Sequence, residues 1–539
     1  MKNNGNANYD IIVIGSGIGG LTFASLMAQL QHKRVLVLER HFKLGGFTHA
    51  FSRPGGYTWD VGLHYVGSMG KGEMGRQLFD LVTGGTVEWA KMPSPFERFV
   101  YPDFTFAVPD DRKAYEQALI NKFPSERSAI RQYFKDLAKL NQWFARYTLM
   151  KAGTSPLITI PMRLVTAPDQ LALMTTGAYL DQRFGDPQLK ALLASQWGDY
   201  GLPPGKSALI IHALIAAHYL DGAYYPVGGA GVIAQSVVPM IEAHGGRTLV
   251  NHRVCEIIVR EGQAVGVQVE VQQGRAHRTT EFYAPLIVSD AGAYNTYCRL
   301  LPASLPLPFR PELEAMASPH SVVTLYLGLQ ENPKKLGFYG ENHWLYAGYD
   351  HDEAFRRSSE LLDGKPTTCY LSFPSLKDPQ AKGHTAEIIA NLDYAAVAHW
   401  QAQPWRKRDE DYQAMKARIS EALLNFVEAR YPGFRQLVAY TELSTPLTIE
   451  HFTGHKNGGI YGLPATPERF RAQWLKPQTP IKNLLLTGAD VTSLGIMGAM
   501  MGGVATAASV LGSFGLFQII KAAKVTKFAP QPQLERAAA

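Results

Sequence analysis

The chain has 539 residues, 46% of them hydrophobic and 18% charged, with 53 Lys and Arg against 46 Asp and Glu for a net charge of +7. This composition excludes a disordered chain, the glycines have no Gly-X-Y period that would mark a collagen, and the length suggests roughly two to four domains. Three widely spaced cysteines (Cys255, Cys298 and Cys369) exclude a disulfide framework and a structural zinc site and suit a reducing compartment, while mild charge without a dense Lys/Arg block speaks against nucleic acid.

In chain order, residues 9–14 form an apolar run ending in glycine and predict a strand. Residues 17–31 are small and apolar and predict a helix, and residues 34–39 predict a second buried strand. One strand–helix–strand unit implies a parallel sheet. The apolar run from Ile11 to Gly15 is too short for a signal-peptide core or a membrane span, so the expected setting is the cytoplasm, with a peripheral place on the cytoplasmic face of a membrane. Residues 44–69 are Gly-rich and aromatic without a clear period, and residues 111–141 turn helical and charged. Residues 143–180 mix aromatics and aliphatics with Arg146, Lys151 and Arg163, and read either as a membrane-surface patch or as a helical cap over an apolar cavity.

Residues 207–220 predict an apolar helix, and a glycine turn with another helix follows from residue 222. Strands are expected at 253–260, 264–271 and 286–289, then at 322–329, 368–373 and 386–392, followed by a long helix from 411 to 429. Residues 483–487 predict a strand, then a glycine turn and a helix of small residues. The expected fold is therefore α/β, a Rossmann-type cofactor-binding domain, read as FAD-binding from its glycine motifs, with an inserted mixed α+β substrate domain. The first is discontinuous over 1–70, 222–300 and 455–515, and the second takes 71–221 and 301–454 with a helical cap. Residues 516–539 read as a C-terminal tail.

Three glycine motifs carry the chemistry. The first is Gly15-Ser16-Gly17-Ile18-Gly19-Gly20, which follows a strand and opens a helix. Gly15 permits the tight turn, Gly17 lets a pyrophosphate approach the backbone, and Gly20 allows close helix–strand packing. The helix N-terminus offers N–H groups and a positive dipole end to phosphate. Glu39, 19 residues after Gly20 and followed by Arg40, ends the second strand, where a carboxylate accepts from ribose hydroxyls. The second motif is Gly45-Gly46, so close to that acid that it suits a cofactor extended across the sheet, which favours FAD over NAD. The third is Gly488-Ala489-Asp490 with Gly495-Ile496-Met497-Gly498, a second helix N-terminus built for close approach to a flavin ring, with Asp490 able to accept from ribityl hydroxyls.

Candidate acids and bases are fewer: His64 and Tyr65 in DVGLHYVG, and His451, His455 and Lys456 in EHFTGHKNGGIYG. No HExxH, GxSxG, Walker A or EF-hand pattern is present, so no metal site is expected.

Seven segments from residue 9 to residue 512, among them DIIVIGSGIGGL, LERHFKLGG, YYPVGGAGVIAQSVVPMIEAHGG and LLLTGADVTSLGIMGAMMGG, resemble in order the retinol saturase branch of the phytoene desaturase and carotenoid isomerase family. That resemblance implies an amine-oxidase and GDP-dissociation-inhibitor type fold, FAD held non-covalently, and action on carbon–carbon double bonds of a polyene or isoprenoid. It implies that Gly15, Gly17 and Gly20 hold the pyrophosphate and Glu39 the adenosine ribose. Gly45 and Gly46 approach the cofactor's middle, Val254 pairs its backbone with adenine, and Asp490 with Met497 and Gly498 meets the ribityl chain and flavin. Many relatives carry Arg after the Gly-Gly pair where this chain has Phe47-Thr48, so either Thr48 substitutes or that phosphate contact is lost.

The expected reaction is saturation of a polyene double bond, with hydride from flavin N5 and a proton from His64 or Tyr65. A carotenoid desaturase or cis–trans isomerase is the alternative enzyme, and a non-catalytic isoprenoid carrier is the alternative of another class. The electron partner is unassigned. Only one strand–GxGxxG–helix unit is present, so NAD(P)H enters at most as a transient reductant.

Overall fold

The computed structural model describes residues 9–153, 170–273, 276–316 and 321–526. Leu484–Leu486, Leu286–Ser289, Ile11–Ile14, Val35–Leu38 and Arg247–Leu249 lie in that order in an all-parallel sheet. Every residue of Ile11–Ile14 and Val35–Leu38 is buried, because a parallel sheet is covered on both faces. Ile11, Val13, Val35 and Val37 meet three helices: Leu21 and Ala24 of Ile18–Gln31, Ile233 and Val237 of Gly231–Glu242, and Val504 and Ala507 of Gly495–Leu511. The alternate residues Ile12, Ile14, Leu36 and Leu38 face Ile257, Val267 and Val269 of a three-stranded antiparallel sheet, His252–Arg260, Gln263–Gln273 and Ala276–Tyr283. Each such aliphatic side chain adds about 1.5–3 kcal/mol when buried.

The rest of the chain builds a seven-stranded sheet in the order Val438–Ser444, Val322–Leu329, His384–Asn391, Thr368–Ser372, Asn342–Tyr346, Glu97–Val100, Thr105–Val108. Its pairs are antiparallel except Asn342–Tyr346 beside Glu97–Val100. Helices Arg127–Ala152 and Leu209–His218 pack beside it in an aromatic core that holds Tyr133, Trp143, Tyr147, Trp197 and Trp344.

Two expectations are corrected. Residues 44–69, which show no clear period, contain a hairpin, Ala50–Arg53 paired with Tyr57–Asp60. Residues 516–539 are not a tail throughout: Gly515–Val525 is a helix whose Ile519 and Ala523 share a core with Leu78 and Phe79 of helix Met74–Val82. Of the 143–180 segment, residues 154–169 lie outside the described residues, and Trp143 and Tyr147 are core residues rather than a surface patch. Residues 527–539, the end of the expected tail, also lie outside them. Among the described residues no helix is long and apolar enough to cross a membrane.

Candidate functional site

A single cavity of about 910 Å³ runs from the end of strand Val35–Leu38 to the aromatic core, at the upper end of the usual range for ligand sites. Gly15, Gly17, Ile18, Gly19, Glu39, Arg40, Gly45, Gly46, Thr48, Val254, Asp490, Ile496, Met497, Gly498, His64 and Tyr65 all line it. Gly20 and Gly488 do not; they shape it from behind. A Cβ at Gly20 would lie 2.6 Å from the Gly15 carbonyl oxygen, and one at Gly19 would lie 2.4 Å from Gly488 Cα. The two glycine turns therefore stand back to back, and only hydrogen side chains let them.

Gly15 takes φ +96°, which turns the chain from strand into helix. Helix Ile18–Gln31 has Gly17 as N-cap and helix Gly495–Leu511 has Leu494, and neither N-cap gives a side-chain hydrogen bond. Their first-turn amides and positive dipole ends therefore face the cavity as donors for an anion or a polar ring edge.

Glu39 is buried, and its Oε2 accepts from Ser16 N at 2.9 Å and Ser16 Oγ at 2.7 Å, while Oε1 accepts from His41 N at 2.7 Å. The acid thus holds the glycine turn as well as facing the ligand space. Asp490 accepts from Ala293 N at 2.7 Å and Leu463 N at 2.8 Å, so it also clamps two loops. Thr48 Oγ1 donates to the Gly45 carbonyl at 2.7 Å and is already used within the turn. Positive charge comes instead from Arg40, Arg253 and Arg299, which all line the cavity. Arg40 Nη2 donates to the His451 carbonyl and Arg299 Nη1 to the Gly454 carbonyl, which fixes both guanidinium groups beside the site. Burial, and then the neighbouring Arg253, hold Arg40 below its ordinary pKa. The ladder of His252–Arg260 is irregular between Val254 and Glu256, a bulge that frees backbone groups beside the cavity.

At the other end, His64 Nδ1 lies 2.9 Å from Glu387 Oε2, a fully buried carboxylate. Tyr65 Oη lies 2.6 Å from Glu97 Oε1 and 2.6 Å from Asp199 Oδ2, and its ring stacks on Tyr219 at 4.3 Å. Lys377, buried beneath, donates to the His64 carbonyl at 2.9 Å, to Ser372 Oγ at 2.7 Å and to Asn342 Oδ1. Burial pushes Lys377 down to about 7 and Glu97 up to about 7. His455 lines the cavity with Nδ1 on the Gly459 carbonyl at 2.9 Å. His451 stacks on Trp405, and Lys456 lies 4.5 Å over the Tyr294 ring, so neither reaches the cavity wall.

Sequence reasoning missed Asp290, Arg253, Arg299, Glu97 and Asp199. Asp290 sits behind the first glycine turn, takes backbone hydrogen bonds from Gly20 and Gly17, and is pushed up to about 8 by burial. Its signal was present: an acid at the tip of strand Leu286–Ser289, the sheet neighbour of Ile11–Ile14. Among the described residues no group of His, Cys, Asp and Glu is arranged to hold a metal ion.

The fold and the site together define a dinucleotide-binding oxidoreductase. Residues 13–82 match the NAD(P)-binding Rossmann-like domain family. The all-trans-retinol 13,14-reductase of Macaca fascicularis is 33% identical, with 93% of this chain and 85% of that protein covered. The Rattus norvegicus protein of the same name is 31% identical over the same shares. The chain belongs to the all-trans-retinol 13,14-reductase family. The chloroplastic prolycopene isomerase of Arabidopsis thaliana is more distant, at 26% identity over 86% of this chain and 75% of that protein. In fold, the chain is similar to cyclohexylamine oxidase from Brevibacterium oxydans, with a TM-score of 0.58 and 17% identity over 96% of this chain and 99% of the other.

Proposed function

We propose that the protein is an FAD-dependent reductase that saturates a carbon–carbon double bond in a polyene alcohol or carotenoid-like lipid. The observation that carries this reading is one continuous cavity joining two uncapped, glycine-faced helix N-termini to an aromatic wall with buried acids. A nicotinamide nucleotide has no use for the second cradle; a flavin does. In this reading Gly15, Gly17 and Ile18 receive the pyrophosphate with Arg40 and Arg299 as counter-charges. Glu39 takes the adenosine ribose, the Val254 bulge the adenine, Gly45 and Gly46 the cofactor's middle, Asp490 the ribityl chain, and Ile496–Gly498 the ring edge. Reduced FAD, when bound, supplies the hydride and both electrons. The protein's own groups do the rest. The apolar lining by Phe144, Leu214 and Ile215 excludes water and aligns the chain of the lipid, and the proton is delivered from the polar wall on which His64, Tyr65 and Asp199 lie.

The division into a cofactor part at 1–70, 222–300 and 455–515 and a substrate part at 71–221 and 301–454 belongs to the same proposal. All five parallel strands come from the first set, which supports it.

The test is anaerobic. The purified protein is expected to carry an oxidised flavin spectrum that dithionite bleaches. Added all-trans-retinol is expected to restore the flavin band while its own absorbance moves to shorter wavelength. Flavin that stays reduced with retinol and with carotenoids overturns the reading. The isomerase alternative predicts instead a cis-to-trans spectral change without flavin re-oxidation.

The lipid is proposed to arrive from a membrane on the cytoplasmic side, in keeping with three free cysteines. The support for a membrane surface is the closing helix rather than residues 143–152. Val510, Phe514, Phe517 and Val525 are 39%, 72%, 67% and 72% exposed, and Lys521 and Lys524 are exposed beside them. An apolar face edged with lysines suits an anionic bilayer. Phe514→Ser with Phe517→Ser is expected to weaken co-sedimentation with phosphatidylserine vesicles about tenfold or more, since each buried Phe is worth about 1.5–3 kcal/mol. Unchanged co-sedimentation removes this surface from the proposal.

A further inference from the structure

We propose that Asp199 is the acid that protonates the substrate carbon, its proton held in place by a hydrogen-bonded chain from Asp199 through Tyr65 to Glu97. The inference rests on the reductase reading and adds the proton donor to it.

The proton count carries the argument. Tyr65 Oη has one hydrogen and lies 2.6 Å from an oxygen of each of two carboxyl groups. It can donate to one of them only. If both carboxyls were ionised, the second contact would set an anionic oxygen against a hydroxyl lone pair at hydrogen-bond distance. One carboxyl therefore carries a proton. The partners say which. Glu97 Oε1 also accepts from Trp344 Nε1 at 2.7 Å, and Oε2 accepts from Gln196 Nε2 at 2.7 Å. Three donors converge on Glu97, which is the arrangement of a carboxylate. Among the described residues, Tyr65 is the one hydrogen-bond partner of the Asp199 carboxyl. The proton thus sits on Asp199, which donates to Tyr65 Oη, which donates to Glu97 Oε1.

Position separates the two acids. Glu97 has no exposure and is absent from the cavity wall, whereas Asp199 and Tyr65 both line the cavity. Asp199 is therefore the group that can touch substrate, and Glu97 is a positioning residue. The Tyr65 ring is fixed by its stack on Tyr219, so the chain keeps its geometry while the lipid enters. Burial, followed by the Glu97 charge, raises Asp199 well above the usual carboxylate range. The charged and titratable groups that face it are Glu97, Tyr65 and Lys377, ringed by Tyr200, Tyr219, Tyr346, Tyr370 and Tyr461.

The step balances. Saturating one double bond adds two hydrogens: a hydride, with both electrons, from reduced flavin, and a proton from Asp199 to the adjacent carbon. The π bond, the Asp199 O–H bond and the hydride donor's N–H bond break, and two C–H bonds form, one of them with the hydride. The Asp199 carboxylate left behind accepts the Tyr65 hydrogen bond until solvent re-protonates it.

Asp199→Asn, Glu97→Gln and Tyr65→Phe test this. Asp199→Asn is expected to bind flavin and bleach with dithionite like the wild type, yet to be re-oxidised by polyene about 100-fold more slowly or worse. The difference between resting wild-type and Asp199→Asn infrared spectra is expected to show the carbonyl band of one protonated carboxyl, shifted in D2O, that the variant lacks beside the bands of the other buried acids such as Asp290. Glu97→Gln removes the charge that keeps the Asp199 proton on, so its rate is expected to fall off at lower pH than the wild type. A purely structural Glu97 would lower the rate at every pH alike and leave the profile in place. Asp199→Asn with wild-type re-oxidation, or with the infrared band retained, overturns the proposal. If the wild type itself is not re-oxidised by any polyene, the reductase reading falls with the delivery step, and the infrared band alone decides whether Asp199 carries the proton.

Discussion

Gly19→Ala is expected to give a protein that purifies without flavin and melts well below the wild type. The added Cβ would lie 2.4 Å from Gly488 Cα and 2.6 Å from Asp290 Oδ1. The first of these neighbours is backbone and cannot swing away. The clash must be relieved by parting helix Ile18–Gln31 from the Gly488 turn that leads into helix Gly495–Leu511, at a cost of about 3 kcal/mol or more. Gly503 repeats the contact one turn along, since its Cβ would lie 2.5 Å from the Gly19 carbonyl oxygen. Parting the two helices moves both anion-facing N-termini at once, so cofactor content should fall further than stability. Thermal melting together with the ratio of flavin to protein absorbance measures both. Flavin content equal to wild type would mean the two turns are not mechanically joined.

Lys377→Met is expected to destabilise the fold by about 3–5 kcal/mol near neutral pH, the usual cost of removing one partner from a buried charged group. The methionine fills the space but leaves the His64 carbonyl, Asn342 Oδ1 and Ser372 Oγ without their shared donor. It also leaves Glu387, Asp60 and Glu97 without the cation that faces them. The deficit should depend on pH. Burial raises Asp60 from 3.8 and Glu97 from 4.5, each to about 7, so the folded state binds these protons more tightly than the unfolded chain. Stability from these two groups is then present at acid pH and is lost as pH rises towards 7. Without the lysine that loss extends further upward. Lys377 itself, pushed down from 10.5 to about 7, works the opposite way and restores stability as pH rises above 7, a gain the variant lacks. The gap in melting temperature should therefore be small near about pH 5 and large near about pH 8. A gap independent of pH would mean that Lys377 acts through its hydrogen bonds alone.

The parts of the site that were legible in the sequence are those where backbone geometry dictates the residue. Gly15, Gly17 and Gly46 stand where a turn or a close approach forbids a Cβ, and Glu39 lies at a fixed distance along one strand–helix–strand unit. Such constraints act over a few residues, so a short motif records them. The proton-holding chain was not legible because pairing across a sheet assembles it. Glu97 is 32 residues from Tyr65, and Asp199 is 134. They meet only once Glu97–Val100 lies beside Asn342–Tyr346, which also brings Trp344 to Glu97. Arg253 and Arg299 escaped for the same reason: they reach the cavity from elements far along the chain, His252–Arg260 and Asn295–Leu300. The hairpin of Ala50–Arg53 and Tyr57–Asp60 is a different kind of miss. Its Pro54-Gly55-Gly56 turn was in view, with both glycines at positive φ, but the strands flanking it are half exposed and lack clean alternation.

The order of the parallel sheet sets the timetable of assembly. Its middle strand, Ile11–Ile14, is made long before its outer strand, Leu484–Leu486. The glycine face of helix Ile18–Gln31 therefore waits uncovered through synthesis, until Gly495–Leu511 leaves the ribosome and docks on it. Long-range closure of this kind is slow and leaves apolar surface open to chaperones. Cofactor loading then becomes an event after translation, and a chain cut short before residue 495 should accumulate as an apoprotein bound by chaperones rather than as a weaker enzyme.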